Sequence, residues 1–202
     1  IFGSVLFGVS SKWWRDEHNE HHLFTNTVVE GVGPGDPQMV EEVWIQDPAL
    51  IPFFAKPFVD HILRFQQYYF IPLCVGVGPL GIRFDGLLHT SRLGELAGVA
   101  LHFLWVAMLI RSFDALWEGV VFYMTANCFL GILSVQLLVS HYSRPWKEKE
   151  ETKHPASWAA RQIEAVLDIS SPTWMDWFHG GLHLHSPHHL FPRMCRCHYR
   201  TI

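Results

Sequence analysis

The chain has 202 residues, enough for one domain of ordinary size. Its hydrophobic fraction is 49% and its charged fraction 17%, below the roughly 25% of a soluble domain, so the composition points to a membrane protein or an unusually apolar one. A net charge of −4 with no long basic run excludes a nucleic-acid-binding domain.

The opening "IFGSVLFGVSS" is apolar but only about eleven residues long, too short to cross a bilayer. It has neither the basic start nor the cleavage site of a signal peptide, and it does not begin with Met. It is expected to be the end of a longer hydrophobic helix, and the chain a fragment. Next comes "KWWRDEHNEHH", with His18, His21 and His22 within five positions. The Gly- and Pro-rich, mainly acidic stretch from Thr25 to Pro57 predicts a loop in water with one short helix. No repeat of roughly 20–50 residues is visible, which argues against a solenoid.

Three apolar segments follow. Phe65 to Ile82 carries Gln66, Gln67, Pro72 and Pro79. Leu96 to Ile110 is short, about 22 Å as a helix against a hydrocarbon core of roughly 30 Å, so Arg111 is expected to snorkel or the bilayer to thin. Gly119 to Ser140 is the best spanning helix, 22 residues without a charge. Arg111, Asp114 and Glu118 form a polar turn between the last two, which read as a transmembrane helical hairpin. Arg83 and Arg92 before it, and Arg144, Lys147 and Lys149 after it, put both outer ends on the cytosolic side. Beyond "RPWKEKEETKHP", the stretch "ASWAARQIEAVLDI" predicts an amphipathic helix that starts near Pro155 and places Trp158, Ile163, Val166 and Leu167 on one face.

Fourteen histidines nearly equal the fifteen Lys plus Arg, and "HLHSPHH" repeats the first cluster's spacing at His185, His188 and His189. On a helix, residues i, i+3 and i+4 share a side, so each cluster presents three imidazoles together. Neutral imidazole ligates iron, zinc, copper or nickel, and two matched sets can hold more than one ion. His61, His89, His102, His154 and His198 read as structural. Ligands of one site must lie on one side of the membrane, so an even number of crossings separates the clusters. The hairpin supplies two, which demotes Phe65 to Ile82 to an in-plane or buried segment. His141, at the cytosolic end of the second crossing, is then a further candidate ligand. Cys74, Cys128, Cys195 and Cys197 form no disulfide framework and suit a reducing compartment. The spacing of Cys195, Cys197 and His198 does not match the common zinc sites.

"KWWRDEHNEHH" resembles the second histidine box of membrane fatty-acyl desaturases, and "DWFHGGLHLHSPHHLFPR" the third box of their front-end subgroup, with wording nearest to fungal sphingolipid Δ8 desaturases. "SHY" at Ser140 to Tyr142 resembles the extra His that follows the last span in relatives. The resemblance implies an all-α integral membrane fold, a helical hairpin under a cytosolic histidine-rich cap, and a non-haem centre of two iron ions. By motif its metal ligands are His18, His21, His22, His188 and His189, joined by His141 and by His185, which stands where front-end members usually have Gln. Asp16, Glu17, Asn19, Glu20, Asp176 and His183 are candidate supports for those ligands. Residues 1–202 are then a partial desaturase domain whose first box, His-Asp-x-x-His, and any cytochrome b5-like domain lie upstream. His183, Pro187, Cys195, Cys197 and a long insertion around Gly31 to Gln46 depart from the pattern.

The resemblance further implies O2-dependent insertion of a double bond into an acyl or sphingoid chain, with electrons from cytochrome b5 and its reductase, at the endoplasmic reticulum membrane. The hairpin would guide a lipid chain to the irons, with Trp13 and Trp14 as interface anchors. Rival readings are a front-end fatty-acid desaturase of the Δ5 or Δ6 type, a related lipid hydroxylase, a histidine-rich metal-binding membrane protein and an inactive fragment. Transporters place polar ligands near the midplane of their spans, whereas here both clusters lie outside the apolar segments.

Overall fold

The computed structural model describes residues 2–29, 32–39, 44–45, 48–141, 146–147 and 157–202. Arg144, Lys149, His154, Pro155 and part of the insertion around Gly31 to Gln46 lie outside these residues. The chain divides into two compact units, one of Ile1–His18 and Ile71–Ser134, the other of Asn19–Phe70 and Val135–Ile202.

In the first unit, α1 (Phe2–Phe7) ends at Gly8 and α2 starts at Ser11, running to Phe24 and so into the second unit. Among the described residues, two single helices are long and apolar enough to cross a membrane, α6 (Leu93–Arg111) and α7 (Leu116–Ser140). At 1.5 Å per residue they measure about 28 Å and about 37 Å. The first is thus a turn longer than its uncharged core. The added residues include Glu95 in the first turn, where a carboxylate complements the helix dipole. It accepts a hydrogen bond from the Ser10 hydroxyl and another, 3.1 Å long, from the Lys12 N–H. Ser10 Oγ also lies 3.2 Å from the Trp13 amide, so the start of α2 is held on two sides.

Along α6 the buried positions Gly98, Val99, His102 and Val106 form one stripe, while Leu101, Leu104 and Met108 face outward, as on a lipid-exposed helix. The buried stripe receives α1. Val5 O accepts from His102 Nδ1 at 3.2 Å and from Trp105 Nε1 at 2.8 Å. Gly8, at φ +73°, is the break between α1 and α2, and a Cβ there would fall 2.5 Å from His102 Cδ2, so both conformation and space call for glycine.

The segment expected in-plane or buried is not one straight helix. Earlier in the chain, α3 (Lys56–His61) leads to α4 (Gln66–Gly76), and α5 (Gly78–His89) follows after a bend of 69°. Pro79 sits in the first turn of α5, where its missing N–H costs nothing. Arg83 on α5 is buried and satisfied by Phe7 O at 2.7 Å, Pro79 O at 2.8 Å and Asn127 Oδ1 at 2.6 Å.

In the second unit the predicted loop holds more structure than one short helix. Strand β1 (Thr27–Val29) pairs antiparallel with β2 (Gly33–Pro34) and parallel with β3 (Trp146–Lys147). Two 3-10 helices follow, Pro37–Met39 and Pro48–Phe53. Val28, Met39 and Leu50 form the core beneath them. Strands of two or three residues are too short for alternation to reveal them. Among the described residues, α8 (Trp158–Ala165), α9 (Asp176–His179) and α10 (His185–Leu190) follow, with 3-10 helices at Thr173–Met175 and Arg196–Thr201.

Helix α8 departs from its expected form. Ser157 caps it through the Ala160 N–H, and it ends at Ala165, so Val166 and Leu167 are extended and share no helical face with Trp158. The buried positions are Gln162 and Ala165, while Trp158 and Ile163 face outward. The helix turns a polar side inward because polar partners wait there. Pro187 lies in the first turn of α10, whose amides have no partner within the helix, so the motif folds as a helix despite it.

Two glycines give a packing test. A Cβ at Gly131 of α7 would fall 2.2 Å from the Val75 carbonyl oxygen of α4, whereas one at Gly81 of α5 would meet open space. Gly131→Ala is expected to destabilise by about 1–3 kcal/mol through overpacking. Gly81→Ala should be neutral or stabilising by up to about 1 kcal/mol. Thermal unfolding in detergent measures both.

Candidate metal centre

The final turns of α2 carry His18, His21 and His22, with His21 and His22 buried. Helix α7 delivers His141 directly after its last residue, Ser140. Helix α10 carries His185, His188 and His189, of which His185 and His189 are buried. These three stretches converge. His141 Nε2 and His185 Nε2 lie 2.8 Å apart, His185 Nε2 and His189 Nε2 3.1 Å, and His22 Nε2 and His188 Nε2 3.2 Å. Nitrogens about 3.0–3.4 Å apart are adjacent corners of a polyhedron with metal–nitrogen bonds of about 2.1 Å.

Among the described residues of the second unit, His21, His141 and His189 have ligand atoms within 4.8 Å of one another, and His22 pairs with His188 as a second group. His18 stands one turn before His22 on the same helix. The donor set is imidazole alone, which suits iron, zinc, copper or nickel, and two groups suit two ions. The clusters are therefore consistent with a non-haem di-iron site.

Each ring needs an orientation as well as a place. Asp36, fully buried, accepts from His21 Nδ1 with both carboxylate oxygens at 2.9 and 2.8 Å. That bond puts the His21 proton on Nδ1 and turns the Nε2 lone pair toward His141 and His189. Asp36 is held in turn by the amides of Asn26 and Gln38, at 2.8 and 2.9 Å. His189 Nδ1 donates to Gln162 Oε1 at 2.8 Å, while Gln162 Nε2 donates to His22 O at 3.0 Å. Thr25 Oγ1 lies 3.0 Å from Gln162 Oε1 and 2.8 Å from His21 O. Asn26, buried at φ +54°, donates from Nδ2 to His141 O and to Ala165 O, both at 2.8 Å. It thus ties the end of α2 to the ends of α7 and α8. Asn tolerates the left-handed conformation this position requires. His188 Nδ1 faces Tyr199 Oη at 3.3 Å.

Burial sets the charge state. The pKa of His188 is pushed down to about 3, first by desolvation and then by the neighbouring His22. His189 is held far below the ordinary imidazole range, by burial first and then by His185 and His141. Both rings are neutral at physiological pH, which is the ligand form.

The candidate supports divide. Asp16, Asn19 and Glu20 are exposed; Asp16 pairs with Lys12 and Arg15, which lower its pKa, rather than with an imidazole. Glu17 is half-buried. Asp176 binds Arg200 through two bonds of 2.6 and 2.5 Å, and Arg200 keeps its carboxyl below the usual range. The buried His183 Nε2 lies 3.2 Å from both Asp176 Oδ1 and Arg200 Nη2. This knot braces the turn before α10, where Gly180 and Gly181 take φ of +57° and +77° and a Cβ on Gly181 would fall 2.9 Å from Arg196 Cβ. Sequence reasoning passed over Asp36, Gln162, Thr25, Asn26 and Tyr199. The only pointer to Asp36 was its place in "GPGDP", a turn motif. His61, His89 and His198 are exposed, His102 belongs to the buried stripe of α6, and Cys195 and Cys197 are exposed with their sulfurs 3.1 Å apart.

Comparison with known proteins accords with this geometry. The family model for fatty acid desaturases matches residues 1–202. A Δ8 fatty-acid desaturase of Helianthus annuus is 27% identical over 214 residues, covering 100% of this chain and 46% of the relative. An acyl-lipid (9-3)-desaturase of Borago officinalis is 30% identical over 211 residues, with 98% and 47% covered. A Δ8-(E)-sphingolipid desaturase of Candida albicans is 28% identical over 237 residues, with 97% and 37% covered. The chain thus spans about half or less of the length of these curated relatives. No solved structure matches it. Since the family match runs through every residue and takes in both histidine clusters, the chain belongs to the fatty acid desaturase family.

Proposed function

We propose that the protein is an O2-dependent lipid desaturase that inserts a double bond into a sphingoid long-chain base at the Δ8 position. Residues 1–202 belong to its desaturase domain, and His18, His21, His22, His141, His185, His188 and His189 hold two irons. The observation that carries this reading is the meeting of imidazole nitrogens from α2, the end of α7 and α10 at 2.8–3.2 Å. The two long apolar helices supply a membrane context, as a lipid substrate requires.

When bound, such an iron pair supplies the oxidising power that no side chain has for removing hydrogen from an unactivated alkyl chain. The protein's part is to orient and to exclude. Asp36 and Gln162 hold protons on the Nδ1 atoms of His21 and His189 and so keep both Nε2 lone pairs turned inward. Burial keeps His188 and His189 neutral and keeps water from the cluster. Electrons come from a cytochrome b5-type donor with its reductase, and the site lies on the cytosolic face of the endoplasmic reticulum membrane. The sphingoid substrate is supported by the "WFHGGL…HHLFPR" wording and by the name of the Candida relative. A second reading, a fatty-acyl substrate, is favoured by the Borago relative at 30% identity.

The gene product, expressed in a host without its own lipid desaturases, should yield Δ8-unsaturated long-chain bases on lipid profiling. Unsaturated fatty-acyl chains alone would move the assignment to the second reading, and hydroxylated lipid alone, or a purified protein holding only zinc, would sink both. His189→Ala should remove product and lower bound iron by at least half; unchanged iron would take His189 out of the ligand set. Asp36→Asn keeps the shape but loses the carboxylate, and should weaken metal affinity about 10–100-fold. The exposed Asp16→Asn should leave metal titrations unchanged.

A further inference from the structure

In the second unit the indoles of Trp174 and Trp177 stand open, at 69% and 80% exposure. They stand three residues apart, in the 3-10 helix Thr173–Met175 and in α9 (Asp176–His179), and point away from the protein. Their neighbours point inward. Asp176 meets Arg200 and His183, and His179 Nδ1 lies 2.6 Å from Gln136 Oε1. The segment is thus two-sided at helical spacing, with indoles outside and polar anchors inside.

Where it is anchored suggests what covers it. Gln136 lies on α7 four residues before its last residue, about 6 Å along the axis. Just beyond, Ser140 O accepts the Leu167 N–H at 2.8 Å, which brings the segment after α8 to the same turn. Leu167, at 52% exposure, and the outward Trp158 and Ile163 of α8 are also uncovered. These apolar groups are therefore stitched to the last turns of a helix long and apolar enough to cross a bilayer, where its apolar body gives way to Ser140 and His141. At that depth the surroundings are headgroup and upper acyl chain, the region that indole prefers because it offers an apolar body and a hydrogen-bonding N–H. A bare two-Trp patch facing water would be a liability in a soluble unit.

We propose that Trp174 and Trp177, continued by the outward side of α8, insert into the lipid interface and seat the histidine-bearing unit on the bilayer. The proposal rests on α7 crossing the membrane and is independent of the lipid product, so a failed desaturation assay does not touch it. The test places the photoreactive residue p-benzoylphenylalanine at position 174 or 177 of the whole gene product in phosphatidylcholine nanodiscs. After irradiation, mass spectrometry should find phosphatidylcholine adducts at one or both positions. Adducts only to another protein chain, which would mean that a second copy covers the patch, or no adduct at either position, would overturn it. Both replacements keep a large aromatic at an exposed site, so folding is not at stake.

Discussion

Imidazoles can be buried side by side only while each ring stays neutral and its outward nitrogen finds a partner. A charged ring there would lack water and face its neighbours' like charge. His21, His141, His185 and His189 meet in the second unit, and for His21 and His189 that partner comes from another element. Asp36 serves His21, Gln162 serves His189, and Asn26 ties the carbonyls of His141 and Ala165 to the same end of α2. Leaving any one of these buried groups unpaired costs about 1–3 kcal/mol, so the network specifies one arrangement of the rings.

The same constraint explains why α8 runs against its own pattern. Judged by hydrophobicity, Trp158 and Ile163 belong inside. Instead Gln162 is inside, because the ring of His189 and the carbonyl of His22 need an amide that can accept on one side and donate on the other. Glutamine is among the few side chains that do both. The apolar side is then forced outward, which is acceptable where the outside is lipid.

How much of this could be read from the residues alone follows from the range of each signal. The histidine clusters are local, and helical spacing showed that each triplet shares a side. The two long apolar helices were visible because an uncharged run of bilayer length seldom occurs except as a membrane span, although Glu95 hid the true start of α6. Counting membrane sides pointed to His141, whose ring lies beside that of His185. Asp36 and Gln162 were out of reach because their roles exist only in three dimensions. One lies in a turn beside a strand of three residues, the other on a short helix whose apolar side points away from the cluster. The polar residues next to the cluster, Asp16, Asn19 and Glu20, looked better placed by proximity in the chain. A helix, however, sends its exposed face to solvent, and the support for an inward imidazole must come from another element.

That separation also makes the centre depend on assembly. His21 of α2 is oriented by Asp36 from the following loop and the His22 carbonyl is held by Gln162 from α8, while α10 follows the turn braced by the Asp176–Arg200–His183 knot. None of these elements could hold the rings alone. Asn26 is the shared joint, fixing α2, α7 and α8 through one backbone amide and one carboxamide. A geometry with nitrogens about 3 Å apart tolerates little drift before a metal polyhedron is lost, so rigidity at this joint matters more than any single imidazole's position.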